Sequence, residues 1–256
     1  MNKRNLLTIF VLLVLGSLHA SLGNAQTPKS DTPAKPTIVI VHGAWGGAWA
    51  FKKVEALLRE KNFQVYRPQL TGQGDRVHLA RPDIGLNTHI DDVVNTILYE
   101  DLRDIILVGH SYGGMVISGV ADRVPDRIKR LVYLDALVPN DGDSVITMLG
   151  NLIKPMTKGD YVVPSWVKPD QPPPHDVPQS LKTFTDQIVL KNEAARKIPA
   201  TYILTVEKGK EAKDDDFFSQ SQRAKQRGWT MLQLTSDHNP QWSAPEALAE
   251  MLAGIR

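Results

Sequence analysis

The chain has 256 residues, with 30 lysines and arginines against 28 aspartates and glutamates, and it contains no cysteine. This length suits one α/β domain with a full core and is short for two. The balanced charge provides no basic stripe for nucleic acid, and the lack of cysteine excludes disulfides, a cysteine nucleophile and thiolate metal sites.

The first 25 residues are typical of a secretory signal peptide. Lys3 and Arg4 precede an almost wholly apolar stretch at residues 6–18, and small residues at 23–25 suit cleavage after Ala25. The apolar run is about 13 residues, against the roughly 20 that span a bilayer. We therefore expect a protein exported to the periplasm or the cell exterior, with no stable membrane anchor after cleavage. Residues 26–36 form a polar linker, and residues 37–256 form the domain.

The domain begins with a β-branched run, Thr37 to Val41, that predicts a strand buried on both faces of a parallel sheet. The sequence His-Gly-Ala-Trp-Gly-Gly follows at residues 42–47, here called the glycine loop. Backbone N–H groups of such a loop can point at an anion, and we expect those of Ala44 and Tyr112 to form an oxyanion hole. The alternative is an ordinary strand-to-helix connection.

Helices and strands alternate through most of the chain, which predicts a mostly parallel sheet of about six strands flanked by helices. After the first strand we expect a helix at 49–59, a strand at 64–66, a helix at 89–98, and strands at 105–108, 131–134, 201–205 and 229–234. A helix at 217–227 precedes the last strand. Ser243 and Glu246 predict a capping box at the start of a final helix that ends at Ile255.

The strand at residues 105–108 leads into Gly109-His110-Ser111-Tyr112-Gly113, a G-x-S-x-G nucleophile elbow. The chemistry requires this spacing because the serine occupies a strained turn, and glycines on both sides let strand and helix approach closely. Ser111 is then presented at the carboxyl end of the strand, beside the positive end of the following helix. We identify Ser111 as the candidate nucleophile.

Residues 139–199, here called the cap segment, break the alternation. Nine prolines punctuate this stretch, and Trp166 and several methionines and leucines are scattered among them. About 60 residues are too many for a connector and too apolar for a disordered loop. We therefore expect a cap inserted over the active site.

His238 follows the last predicted strand, a position from which an imidazole can reach a serine on a central strand, so we expect it to be the general base. Two candidates remain for the acid that orients it. Asp135 ends an apolar strand, where a carboxylate needs a partner, and we rank it slightly first. Asp215 follows the next strand, and its acidic run also resembles a solvated helix cap. Glu207 ranks below both.

The glycine loop, the elbow with Gly114, the segment 131–139 and His238 together resemble the α/β-hydrolase family, in particular the branch of small esterases related to plant methyl-ester esterases and hydroxynitrile lyases. The resemblance runs from Pro36 to the C-terminus and is weakest across the cap segment. It implies an α/β-hydrolase fold in which Ser111 is the nucleophile and His238 the base. Plant members carry the acid in the loop that matches residues 207–216, whereas some lipases and dehalogenases carry it after the strand that matches Asp135.

The predicted function is a serine carboxylesterase that acts on small uncharged esters, with no cofactor and no metal. The lyases of this branch carry a threonine where Gly43 stands and a lysine where Asn239 stands, so both positions favour the esterase. Cyanohydrin cleavage and a non-catalytic binding protein on a hydrolase scaffold remain the alternatives. A small-molecule ester is the expected partner, and the oligomeric state is left open.

Overall fold

A computed structural model describes residues 36–255, so the predicted signal peptide and residues 26–35 of the linker lie outside the described part. Within it, the strands are β1 Thr37–Val41, β2 Gln64–Tyr66, β3 Ile105–His110, β4 Ile128–Leu134, β5 Thr157–Lys158, β6 Tyr161–Val162, β7 Gln179–Ser180, β8 Ala200–Val206 and β9 Thr230–Thr235. The α-helices are α1 Lys52–Glu60, α2 Leu86–Tyr99, α3 Gly113–Arg123, α4 Val145–Ile153, α5 Lys182–Thr185, α6 Glu193–Arg196, α7 Phe218–Gln226, α8 Pro240–Ser243 and α9 Pro245–Gly254.

Six strands form one parallel sheet in the order β2-β1-β3-β4-β8-β9, which confirms the predicted sheet. Because all six run the same way, the turns after β1, β3, β4, β8 and β9 meet at one edge. This edge is called the carboxyl edge below. The strand after the elbow pairs directly with the elbow strand, since Leu107 lies opposite Leu131 in the β3–β4 register.

The two faces of the sheet bury separate apolar clusters, which follow from the alternation of side chains along a strand. Val39 and Val41 of β1 pack with residues of α2 and α3 on one face. Ile38 and Ile40 pack with residues of α1 and α9 on the other. The continuous apolar runs of the central strands are therefore explained by burial on both sides.

The cap segment leaves the sheet after β4 and returns to it at β8. It holds α4, α5, α6 and the small antiparallel sheet β5-β6-β7. Ser144 begins α4 with a capping box in which its hydroxyl accepts from the Thr147 N–H at 3.2 Å. No helix within residues 36–255 is long and apolar enough to cross a membrane.

One local prediction was wrong. Ser243 does not cap the last helix, because it belongs to α8 and donates from its hydroxyl to Asp237 at 2.8 Å. Helix α9 instead begins with Pro245 after Ala244, whose side chain makes no capping bond. Pro245 sets the backbone for the first turn and lacks the N–H that a cap would satisfy. The predicted helix at 49–59 also differs, since a 3₁₀ turn at Ala48–Phe51 precedes α1.

Candidate active site

Ser111 lies between β3 and α3 at the carboxyl edge, with a left-handed backbone φ of 54°. Its N–H donates to the Leu134 carbonyl at 3.2 Å, which ties the turn to β4. A Cβ at Gly109 would lie 2.6 Å from the Gly113 carbonyl oxygen, and a Cβ at Gly113 would lie 2.7 Å from the Val41 oxygen. Both flanking glycines are therefore required by close backbone contact, and the strained turn predicted for the elbow is present.

The structure brings His238 to the predicted nucleophile. His238 follows β9, and its Nε2 lies 3.0 Å from the Ser111 Oγ. Its Nδ1 lies 2.6 Å from Oδ2 of Asp135. Because a carboxylate oxygen accepts hydrogen bonds, Nδ1 donates to it, and Nε2 is free to accept the Ser111 hydroxyl proton. Ser111, His238 and Asp135 thus form one continuous hydrogen-bonded chain.

Asp135 is held by the ends of β4 and β8. Its side chain is 0% exposed, and its backbone has a φ of 43°. The Asp135 N–H donates to the Ile203 carbonyl at 2.8 Å, and Oδ1 accepts from the Thr205 N–H at 3.3 Å. Both carboxylate oxygens therefore have a donor, which is the condition for keeping a buried charge.

Asp215, the alternative acid, is not joined to His238 by a hydrogen bond within the described residues. Its Oδ1 instead accepts from the Phe217 N–H at 2.8 Å. Burial, followed by the nearby negative charge of Asp135, raises the pKa of Asp215 to about 6. Glu207, the third candidate, forms an exposed ion pair with Lys210 at 2.7 Å. The geometry thus selects Asp135 as the partner of His238, although its catalytic role remains a prediction.

The two predicted oxyanion donors also lie at the carboxyl edge. Ala44 follows β1 and Tyr112 follows Ser111, and among the described residues neither backbone N–H donates to another protein atom. The Ala44 carbonyl accepts from the Gly46 N–H at 2.7 Å, and Trp45 has a φ of 62°. Free N–H groups beside a serine are what an oxyanion hole requires. Their action in catalysis stays a prediction.

Two buried neighbours that sequence reasoning did not assign also hold His238 in place. His110 donates from Nε2 to the His238 carbonyl at 2.8 Å, and the Phe217 ring stacks on the imidazole with centroids 4.7 Å apart. Burial, followed by the charge of His238, lowers the pKa of His110 to about 3, so His110 is a neutral donor at pH 7. The position of His110 inside the elbow was the available signal, but sequence does not reveal which atom it faces.

A cavity of about 390 Å³ opens in front of Ser111. Its lining includes the glycine loop, His238, Asn239 and Trp242. The cap segment contributes Trp166 and Asp176, two residues for which no role in the site was predicted. Residues 36–255 contain no group of three or more His, Asp or Glu side chains arranged to hold a metal ion.

Comparison with known proteins gives a consistent set of matches. The sequence model of the Alpha/beta hydrolase family matches residues 38–251. A carbendazim hydrolyzing esterase from Nocardioides sp. (strain SG-4G) is 35% identical over 240 residues, which cover 85% of this chain and 98% of that protein. The pFDCC methylesterase MES16 of Arabidopsis thaliana is 30% identical over 255 residues, with 84% and 93% covered.

Solved structures show the same fold. An extracellular alpha/beta-hydrolase from a Paenibacillus species superposes with a TM-score of 0.72 at 24% identity, covering 86% of this chain and all of that one. Tomato methylketone synthase I superposes with a TM-score of 0.69 at 22% identity, covering 87% and 98% of the two chains. The architecture expected from the elbow, the glycine loop and the final histidine is therefore confirmed.

Proposed function

The chain belongs to the α/β-hydrolase family, and from that premise we propose that it is a serine carboxylesterase acting on small esters through an acyl-enzyme. One observation carries the proposal. His238 lies 3.0 Å from the Ser111 hydroxyl and 2.6 Å from the buried Asp135 carboxylate. These distances are within the range in which a base can take the proton of a serine while an acid orients the base.

In the proposed reaction, the Ser111 Oγ attacks the ester carbonyl while His238 takes its proton. The carbonyl oxygen becomes an oxyanion and accepts from the N–H groups of Ala44 and Tyr112. His238 then returns the proton to the leaving alcohol, and Asp135 stabilises the imidazolium in between. Water attacks the acyl-enzyme in the second half, again with His238 as base. The net reaction converts one ester and one water molecule into one carboxylic acid and one alcohol.

The named activities of the relatives support the ester bond as the target, since a carbendazim hydrolyzing esterase and a methylesterase are each at least 30% identical to this chain. The cavity of about 390 Å³ suits a small or medium ligand. These two observations support short acyl or aryl esters over long-chain lipids.

Cyanohydrin cleavage is disfavoured at two positions. A Cβ at Gly43 would lie 3.0 Å from the Ser111 Cβ and 3.1 Å from Nδ1 of His110, so a side chain there requires a shift. Asn239 lines the cavity with an amide, and it has no cation to offer a departing cyanide. The described site therefore supports the esterase over the lyase.

Hydrolysis of p-nitrophenyl acetate by the purified mature protein tests the proposal. We expect a burst of p-nitrophenol followed by steady turnover, because acylation releases the phenol before deacylation. Ser111→Ala is expected to remove both phases. Turnover that survives in Ser111→Ala, with the fold intact by circular dichroism, would contradict the serine mechanism. A wild type that binds esters without cleaving them would favour the binding-protein alternative.

We further propose that the protein is exported, because Lys3, Arg4 and the apolar stretch at 6–18 have the order of a signal peptide. Expression in a bacterial host followed by cell fractionation is the test. We expect a mature chain beginning near Gln26 in the periplasm or the medium. Cytoplasmic protein that retains Met1 would refute it.

A further inference from the structure

The charge of the active-site cavity is uneven. Of the described residues that line it, Asp176 is the only carboxylate, and none is a lysine or arginine. Asp176 is partly buried and comes from the cap segment. A single negative group in a small, mostly apolar cavity is a strong selector of ligands, because few solvent molecules remain to screen it.

Asp176 is fixed in place by its neighbours. The N–H of Val177 donates to the Trp45 carbonyl at 2.8 Å. The Trp45 N–H in turn donates to Oε1 of Gln179 at 2.9 Å. The stretch of the cap segment around Asp176 is thus bonded to Trp45, the residue that follows Ala44. A carboxylate held this way is preorganised for one ligand position.

The two oxygens of Asp176 have different surroundings. Oδ2 accepts from the Trp166 indole N–H at 3.0 Å. Oδ1 faces the glycine loop, 3.6 Å from the place where a Cβ on Gly46 would stand, and it has no donor among the described residues. Burial raises the pKa of Asp176, and the Trp166 bond opposes this rise. One oxygen is therefore held by the protein and the other is available to a ligand.

We propose that Asp176 is a specificity residue that accepts a hydrogen bond from an N–H donor on the substrate, most strongly from a protonated amine. The inference rests on the proposed esterase function and narrows its substrate class. It also changes one expectation from the sequence, since it admits cationic esters beside uncharged ones.

The electrostatics of the reaction favour this assignment. A negative charge develops on the substrate carbonyl oxygen in the same cavity, and the negative charge of Asp176 opposes it. A substrate N–H or ammonium on Asp176 removes that opposition and orients the ester at the same time. Anionic esters face the carboxylate with no lining cation to offset it, so they are expected to be poor substrates.

Matched esters test the inference. The pair 4-(aminomethyl)phenyl acetate and 4-ethylphenyl acetate, with the corresponding 3-substituted pair, differ only in an ammonium against a methyl group. The quantity to measure is the ratio of kcat/KM for amine over ethyl in wild type and in Asp176→Asn. Intrinsic leaving-group reactivity cancels between the two proteins. Asparagine keeps an oxygen for the Trp166 indole, so the variant removes the charge with little change in shape.

We expect the ratio to fall about tenfold in Asp176→Asn for at least one pair, the size of one charge-assisted hydrogen bond at a partly exposed site. Asp170→Asn is the matched control, because Asp170 is an exposed acid of the same cap segment outside the cavity lining. It is expected to keep the wild-type ratio. An unchanged ratio in Asp176→Asn for both pairs, or an equal fall in Asp170→Asn, would overturn the assignment.

A binding measurement separates this inference from the esterase proposal. Benzylammonium is titrated against Ser111→Ala and against Ser111→Ala with Asp176→Asn, and tryptophan fluorescence reports binding because Trp166 contacts Asp176. We expect about tenfold weaker binding in the double variant. This result would stand even if no ester were hydrolysed, in which case only the esterase proposal fails. Equal dissociation constants would overturn the role of Asp176.

Discussion

The cavity has two walls of different construction. One is the carboxyl edge of the sheet, where Ser111 lines the cavity and the buried Asp135 supports His238 from behind. The backbones of Ser111 and Asp135 are hydrogen-bonded to neighbouring strands. The cap segment supplies Trp166, which is 51% exposed, and Asp176, both from stretches outside its short strands and helices. The candidate reacting groups therefore lie on the wall formed by the sheet, here called the sheet wall. The residue proposed to select the substrate lies on the wall formed by the cap segment, here called the cap wall.

Trp45 joins the two walls. It belongs to the glycine loop, yet its indole N–H donates to the Val162 carbonyl of β6 at 3.1 Å. Its ring stacks on Phe184 of α5 and meets Trp166 edge to face, with centroids 5.7 Å and 5.6 Å away. The residue next to a predicted oxyanion donor is therefore also an anchor of the cap segment.

The largest expected loss of activity follows from a substitution on the sheet wall. Asp135→Asn should lower kcat by about three to four orders of magnitude, because an amide fills the space but no longer stabilises the His238 imidazolium. Asp215→Asn should lower it by no more than about threefold, since no hydrogen bond joins it to His238 in the described structure. Steady-state kinetics on p-nitrophenyl acetate would measure both, with thermal unfolding as the check on folding. The reverse pattern would move the acid to Asp215.

The location of the three candidate residues could be predicted from the sequence because each of them follows a legible strand. The buried runs before Ser111 and Asp135, and the position of His238 after the last strand, place all three on one edge of a parallel sheet. The choice between Asp135 and Asp215 could not be made from sequence. Both follow strands, and only the folded structure shows that His238 bonds to Asp135.

The cap segment was predicted only as an insertion. Its strands are two residues long, and hydrogen bonds from distant parts of the chain hold it, such as that from Val177 to Trp45. Such short elements leave no periodic pattern in the sequence. The role of Asp176 could not be predicted, because nothing local distinguishes it from the exposed acids around it.

The next largest effect is the dependence of activity on acyl chain length, which tests how much substrate the cavity under the cap wall can hold. A series of p-nitrophenyl esters should peak at acetate or butyrate, and kcat/KM should fall by about thirtyfold or more at decanoate, because the cavity of about 390 Å³ cannot enclose the longer chain. The assay compares esters below their micelle-forming concentrations. A flat profile would indicate an open cavity, and activation at an oil-water interface would indicate a mobile lid.

A smaller loss of activity is expected from substitution of Trp45, which joins the two walls. Trp45→Ala should lower kcat/KM for p-nitrophenyl acetate by about tenfold, because it frees the cap segment and relaxes the loop that carries Ala44. Trp45→Phe keeps a ring to stack on Phe184 and loses only the indole donor, so it should retain most of the activity. Equal losses in the two variants would assign the effect to the single hydrogen bond to Val162.

The smallest effect concerns stability. Burial raises the pKa of Asp215 to about 6, so between about pH 4 and pH 6 the folded state holds a proton that the unfolded state releases. The free energy of unfolding therefore falls as pH rises through this window and stays lower above it. Asp215→Asn removes the ionisable group and with it this loss of stability. After discounting for partial exposure we expect about 1 kcal/mol, or about 2–4 °C in Tm, at pH 8.

Scanning calorimetry at pH 4 and pH 8 would check the stability prediction. The gain in Tm should be present at pH 8 and nearly absent at pH 4. Asp216→Asn, at the exposed neighbour, is the matched removal of one charge. Equal stabilisation by both variants would mean general relief of repulsion in the acidic run at residues 214–216, and would contradict a specific cost at Asp215.

Labelling with a fluorophosphonate tests most directly that Ser111 is an activated nucleophile. The probe reacts with a serine whose hydroxyl is activated by an adjacent base, the arrangement seen between Ser111 and His238. Digestion and mass spectrometry should find one adduct per chain, on the peptide that carries Ser111, and none in Ser111→Ala. An adduct on another residue, or an unlabelled wild type that still hydrolyses esters, would contradict the account.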